Sequence, residues 1–236
     1  MKSYFLKIIQ TLLLIIVCLI SGVLIEGDTA YLVSNKAYNQ PVVIIDPGHG
    51  GFDGGAVAGD GTVEKDINLK ISLQLSNMLH TAGYKVILTR QTDTSTEDIE
   101  EGSIGLRKKS DLKNRLDLMN DFPEAIFVSI HLNKFTTSAA RGSQVFYGGK
   151  NTESKNLGEF IQNSIVSKLQ PENTRVNKLA TSSTYLLYNA QIPAVLVECG
   201  FLSNKTELEL LKDNEYQKKM AFCCFCGILD FYNNKV

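Results

Sequence analysis

The sequence has no surplus of positive charge. Across 236 residues, 24 Lys and Arg stand against 25 Asp and Glu, a formal net charge of −1. Proteins that grip a phosphate backbone carry a basic excess, so nucleic acid is not an expected partner. Proline is scarce, 5 residues against 18 Gly, and the 44% hydrophobic and 21% charged shares are those of a globular chain. Collagen-like, low-complexity and disordered readings are excluded. No internal period of roughly 20–50 residues recurs, which excludes solenoids and propellers. Cysteine is present but badly distributed for a scaffold: Cys18, Cys199, Cys223, Cys224 and Cys226 are odd in number, and three crowd together. A disulfide framework needs a spread, even set, and a zinc knuckle needs two CxxC pairs. Cys224 shares a helical spacing with Met220, Gly227, Ile228 and Phe231, so the late cysteines read as small core residues. HExxH is absent, as is Gly-Lys-Ser/Thr, and Asp53 stands where a dinucleotide fingerprint begun at Gly48 needs glycine.

What is present begins with an address. Lys2 and Lys7 precede residues 8–25, a stretch of 18 residues with no charge. That length lies at the lower limit for a spanning helix. Positive charge ahead of it predicts a cytoplasmic N-terminus and an external body. Residues 1–25 therefore read as a hydrophobic helix acting as signal peptide or membrane anchor, with the choice open. Ser21-Gly22-Val23 is a poor cleavage site, and Ile16-Val17 before Cys18 argues against lipid attachment. Residues 26–40 read as a polar linker, and residues 41–236 as the folded domain.

Within that domain apolar runs alternate with helical stripes. Residues 41–46, 84–89, 125–131, 143–147, 185–188 and 194–198 read as strands; residues 65–82, 106–120, 157–169 and 205–232 read as helices. The alternation predicts an α/β fold with one mostly parallel sheet. In such sheets the site lies at the carboxyl ends of strands. Asp46-Pro-Gly-His49, Ser129-Ile-His131 and Val197-Glu198 all fall there.

The chain has three histidines. His80, near a helix end, reads as a partner of the helix dipole. His49 and His131 at strand ends, with carboxylates following, favour a metal site of nitrogen and oxygen donors over two backbone-bonded imidazoles. Glu64 opens the helix after the glycine loop and can supply a third donor, or simply face the helix dipole. Glu198 emerges from a buried strand, where a charge is costly without a partner. Gly48, Gly50, Gly51, Gly54 and Gly55 let the loop turn tightly and bring backbone close to the site. Asn68 and Asn133 could orient a ligand, hold substrate or cap backbone. Arg90 and Arg115 could grip carboxylates or lie on a solvated surface. Residues 92–105, followed by Arg107-Lys-Lys109, read as an acidic solvated loop.

Four separated motifs carry a resemblance: Val43-Ile-Ile-Asp-Pro-Gly-His-Gly-Gly51, Glu64-Lys-Asp-Ile-Asn68, Ser129-Ile-His-Leu-Asn133 and Val197-Glu-Cys-Gly-Phe-Leu-Ser-Asn204. In this order they resemble the zinc-dependent N-acetylmuramoyl-L-alanine amidases of the amidase-3 type, from about Pro41 to the C-terminus. The resemblance implies a twisted sheet flanked by helices on both faces, with Zn2+ held by His49, Glu64 and His131 and Glu198 as catalytic carboxylate. It implies hydrolysis of the amide between the lactyl group of N-acetylmuramic acid and L-alanine, with peptidoglycan as substrate. The compact body also looks like the sporulation branch that modifies spore cortex during muramic-lactam formation. That implies an extracytoplasmic place on the cortex side of the forespore, in keeping with membrane contact through residues 8–25; the wider family resemblance adds an activating partner protein as an option. The competing readings are a catalytically silent wall-binding module and a zinc carboxypeptidase or deacetylase.

Overall fold

The computed structural model describes residues 41–99 and 101–234. The leader and linker expected over residues 1–40 lie outside them. Among the described residues no helix is long and apolar enough to cross a membrane.

Six strands form one sheet: β1 Val42–Pro47, β2 Lys85–Leu88, β3 Ile126–Asn133, β4 Gln144–Tyr147, β5 Lys178–Leu179 and β6 Ala194–Phe201, in the order β2-β1-β3-β6-β4-β5. β2, β1, β3 and β6 run parallel, β4 is antiparallel to β6, and β5 runs parallel to β4. The expected mostly parallel α/β sheet is what the chain forms. β1 is buried along its whole length, as a central strand covered on both faces must be.

The helices are α1 Glu64–Thr81, α2 Ile104–Asn120, α3 Glu153–Lys168, α4 Tyr185–Asn189, α5 Lys205–Lys212 and α6 Asn214–Asn233. Strand side chains alternate between two cores. Val43, Ile45, Val128 and Val197 pack with Ile71 and Leu75 of α1, Ile161 of α3 and Cys224 and Ile228 of α6. Val42, Ile44, Phe127 and Ala194 pack with Met119 of α2 and Leu187 of α4. The sheet is therefore covered on both faces. Cys199, Cys223 and Cys224 are buried free thiols, the role that helical spacing gave the last two; Cys226, expected in the core with them, is only half-buried.

Three local expectations are corrected. Residues 185–188 form helix, not strand: Leu186 and Leu187 bury side by side while Tyr185 and Tyr188 stay exposed, a three-residue spacing that a helix accommodates and a two-faced strand does not. The expected single helix over 205–232 is two helices, because Asp213 has extended backbone and its side chain accepts the Tyr216 N–H at 2.8 Å, capping α6. β5 is an unanticipated two-residue strand, too short and exposed for any alternation to mark it.

Candidate metal centre

Parallel topology brings the C-terminal ends of β1, β3 and β6 to one edge of the sheet. β1 ends at Pro47, and His49 follows with a φ of 63°, a left-handed backbone rare for a residue with a side chain. β3 carries His131, which pairs in register with Glu198 on β6. Just beyond, the β3–β6 register shifts between His131 and Asn133. Glu64 is the first residue of α1, and the loop from His49 folds back so that this turn sits under the strand ends.

Glu64 is the hub. Its Oε1 lies 3.3 Å from His49 Nε2 and 3.1 Å from His131 Nδ1. The same oxygen accepts the Leu132 N–H at 3.0 Å, and Oε2 accepts the Ala56 N–H at 2.8 Å. The two imidazoles stand nearly edge to face, centroids 4.9 Å apart at 74°. Among the described residues His49, Glu64 and His131 form the one group of three potential ligands, with donor atoms within 4.8 Å of one another.

The loop glycines make this approach possible. A Cβ on Gly48 would lie 2.3 Å from His131 Nε2, inside the imidazole. At Gly55, which has a φ of +68°, a Cβ would lie 2.6 Å from both Glu64 Oε2 and His49 Cδ2.

The charges of the cluster are tightly coupled. Burial would raise the Glu64 carboxyl, but His131 and His49 hold it well below the usual range. Burial would lower His49, but Asp53 and Glu64 raise it to about 9. Glu198 differs: burial pushes it up to about 7, His131 opposes this and Glu64 adds to it. Its Oε2 is buried with no hydrogen-bond partner among the described residues. Two imidazole nitrogens and a carboxylate oxygen make a borderline donor set suited to zinc, and the orphaned Glu198 oxygen beside them fits a group bound at that place.

Asn68 lies one turn beyond Glu64, buried, with its Nδ2 donating to Gly48 O at 3.2 Å and Glu64 Oε1 at 3.3 Å. Asn133 ends β3, and its carbonyl accepts the Leu202 N–H at 2.8 Å. The two arginines are corrected. Arg90 is 4% exposed and donates to the carbonyls of Pro47, Thr92, Gly48 and Lys65. Arg115 is 2% exposed, pairs with Asp46 at 2.5 Å and Asp111 at 3.0 Å, and donates to the His49 carbonyl at 2.8 Å. Both guanidiniums are frame for the His49 loop rather than solvated surface, and Arg115 also lines the cavity beside the imidazoles. Of the expected solvated loop over 92–105, the described residues are mostly exposed, its last two residues open α2, and it is tied down at two points: the Thr96 N–H donates to Asp111 at 2.7 Å, and Asp93 accepts from Gly51 and Lys65.

Two acids that the sequence does not single out complete this frame. Asp46 is buried and accepts from Arg115, Ser129 Oγ at 2.6 Å and Thr89 Oγ1 at 2.7 Å. Burial would raise it, but Arg115 and the two hydroxyls hold it at about 2. Its place at the end of an apolar strand, three residues before His49, was the available signal. Asp53, four residues after His49 in the same loop, was another. Beside the imidazoles opens a cavity of about 210 Å³, floored by Phe127, Ser129 and Leu196 and walled by Leu112 of α2 and Leu187 of α4.

Residues 43–230 match the N-acetylmuramoyl-L-alanine amidase family. The germination-specific N-acetylmuramoyl-L-alanine amidase of Bacillus subtilis is 37% identical over 194 residues, covering 82% of this chain and 81% of that protein. The amidase LytC of the same organism is 32% identical over 221 residues, 90% of this chain but 41% of that longer protein. The CwlD amidase from Clostridioides difficile, solved in complex with the GerS lipoprotein, superposes with a TM-score of 0.79 at 39% identity, over 82% of this chain and 99% of that one.

Proposed function

The chain belongs to the N-acetylmuramoyl-L-alanine amidase family, and from that premise we propose a zinc-dependent enzyme that cleaves the bond between muramic acid and L-alanine in spore cortex peptidoglycan. His49, Glu64 and His131 would hold the ion. The observation that carries the reading is Glu198, whose Oε2 is buried without a hydrogen-bond partner among the described residues and which stands level with His131 across two parallel strands.

When bound, zinc supplies Lewis acidity, which acidifies water and polarises an amide carbonyl. Glu198 is the base of the reaction. Burial raises its carboxyl above the ordinary range, which favours a group that can both take and return a proton. It accepts a proton from the attacking water and then delivers it to the leaving nitrogen of L-alanine. The lactyl carboxylate and a free amino group are the products. Leu132 N–H, Ala56 N–H and Asn68 fix the Glu64 carboxylate, so that the site is formed before substrate arrives. The cavity walled by α2 and α4 gives the substrate a partly dry berth beside the imidazoles.

The likeness to a germination-specific amidase supports a role in muramic-lactam formation, on the outer side of the membrane that residues 1–25 would address. A lipoprotein partner of the kind bound to the C. difficile relative would assist it. The test is digestion of purified cortex peptidoglycan by the full chain, read by mass spectrometry. Free stem peptides beginning with L-alanine, absent after chelation, are expected. Released acetate or trimmed peptides with the muramoyl amide intact would overturn the reading. Cortex from a deletion strain should lack muramic lactam; lactam at the normal level would remove the sporulation role.

A further inference from the structure

His49 is the least constrained of the three candidate ligands by its own backbone. It sits in a glycine-rich loop in a left-handed conformation, with no strand or helix to set the direction of its ring. Something other than secondary structure must fix which ring nitrogen faces Glu64.

We propose that Asp53, backed by Lys108 of α2, is a positioning residue that fixes the His49 ring and tautomer for the metal. The inference rests on the reading of His49 as a zinc ligand. Asp53 Oδ2 lies 2.8 Å from His49 Nδ1, so a carboxylate acceptor places the ring proton on that nitrogen. Nε2, the nitrogen facing Glu64 at 3.3 Å, is then the one turned toward the ion.

Asp53 is itself held. Reciprocal main-chain bonds, Gly50 N–H to Asp53 O at 2.9 Å and Asp53 N–H to Gly50 O at 3.1 Å, close the turn that brings it back to His49. The Gly55 N–H donates to Oδ1 at 3.2 Å, and Lys108 Nζ donates to Oδ2 at 2.9 Å. One residue earlier on α2, the Arg107 guanidinium lies 4.1 Å from the centroid of the Phe52 ring and pairs with Glu97 at 2.5 Å. The first turns of α2 thus hold Phe52 and Asp53 together, and through Asp53 they reach the ligand. Acids hydrogen-bonded to the far nitrogen of a metal-bound imidazole orient it and raise its basicity, and their loss lowers metal affinity about 10–100-fold.

The experiment measures zinc affinity of the full chain by competition with a chromophoric chelator, for the wild type and for Asp53→Ala, Asp53→Asn, Lys108→Met and Lys108→Arg. Asp53→Ala is expected to weaken zinc binding by ~10-fold or more. Asp53→Asn keeps an acceptor but not the charge, and should fall between it and the wild type. Lys108→Met should weaken binding by a smaller factor, and Lys108→Arg should restore it. Cobalt(II) in place of zinc gives a second readout, since a reoriented imidazole changes the visible d–d bands. Melting temperatures of the metal-free proteins separate this role from a structural one: a merely structural Asp53 would lower them and leave the affinity of the folded protein and the cobalt spectrum unchanged. If Asp53→Ala fails to fold, Asp53→Asn carries the test. Wild-type affinity and an unaltered cobalt spectrum in the folded Asp53 variants would overturn the inference while leaving the metal centre intact. A wild-type chain that takes up no zinc would overturn the zinc reading itself, and this inference with it.

Discussion

His131 and Glu198 stand level with each other on adjacent parallel strands, β3 and β6, toward their C-terminal ends. The pairing puts a candidate ligand and an unpartnered carboxylate on one face at the spacing of neighbouring strands. It divides labour: one residue binds, its neighbour handles protons.

Glu198→Gln separates those tasks. Turnover of peptidoglycan is expected to fall by about 10²–10⁴-fold, the usual contribution of a general base. Zinc content should stay at the wild-type level. The metal-free variant should melt no lower than the wild type, since a buried carboxylate with an unbonded oxygen is replaced by a neutral isostere. Near-normal turnover would remove Glu198 from the mechanism.

Gly48→Ala tests how closely the loop must approach. The added methyl would lie 2.3 Å from His131 Nε2, so the ring must move. The variant should fold, since Gly48 has no left-handed backbone to lose, and should bind zinc more weakly than wild type by isothermal titration. Unchanged affinity would mean that the His131 ring is not held against Gly48.

Arg115→Met should be among the most destabilising changes in the chain. It leaves Asp46 and Asp111 buried without their counter-charge, a loss of about 3–5 kcal/mol. The melting temperature should drop by roughly 10 °C. Lysine should rescue little, because one ammonium cannot serve Asp46, Asp111 and the His49 carbonyl at once. Asp46→Asn combined with Arg115→Met should cost less than the sum of the two. Strict additivity in calorimetry would deny the coupling.

Acid should unfold the protein partly through Asp46. In the fold its carboxyl is held at about 2, against an ordinary 3.8, so the ionised form stabilises the native state at every pH above about 4. That contribution, on the order of 2 kcal/mol, disappears as pH falls from about 4 to about 2. Denaturant titrations should show a smaller loss of stability over that interval for Asp46→Asn than for the wild type. Parallel slopes would contradict the assignment.

Much of this architecture is legible in residue order. Apolar runs such as 125–131 mark buried parallel strands, and the strand-end rule selects His49, His131 and Glu198 without any neighbour in view. Glu64 is legible only through the loop, whose glycines let a helix start fold under the strand ends. The burial of Arg90 and Arg115 is not legible, because a charged residue in a sequence looks solvated by default; only the fold shows that their donors meet carbonyls and acids at the end of β1. Asp53 was passed over for a related reason. Its partners are His49, four residues earlier in the loop, and Lys108, a helix away, and no periodicity connects them. The helix at 185–189 misled because a run of apolar and aromatic residues fits both periods when it is so short.

The most direct measurement is anomalous scattering at the zinc edge from crystals of the full chain grown with one equivalent of zinc. A single strong peak about 2.0–2.2 Å from one nitrogen each of His49 and His131 and from a Glu64 oxygen, with Glu198 facing it, is the predicted result. Zinc on any other set of side chains, or active enzyme with no peak between those three residues, would contradict it.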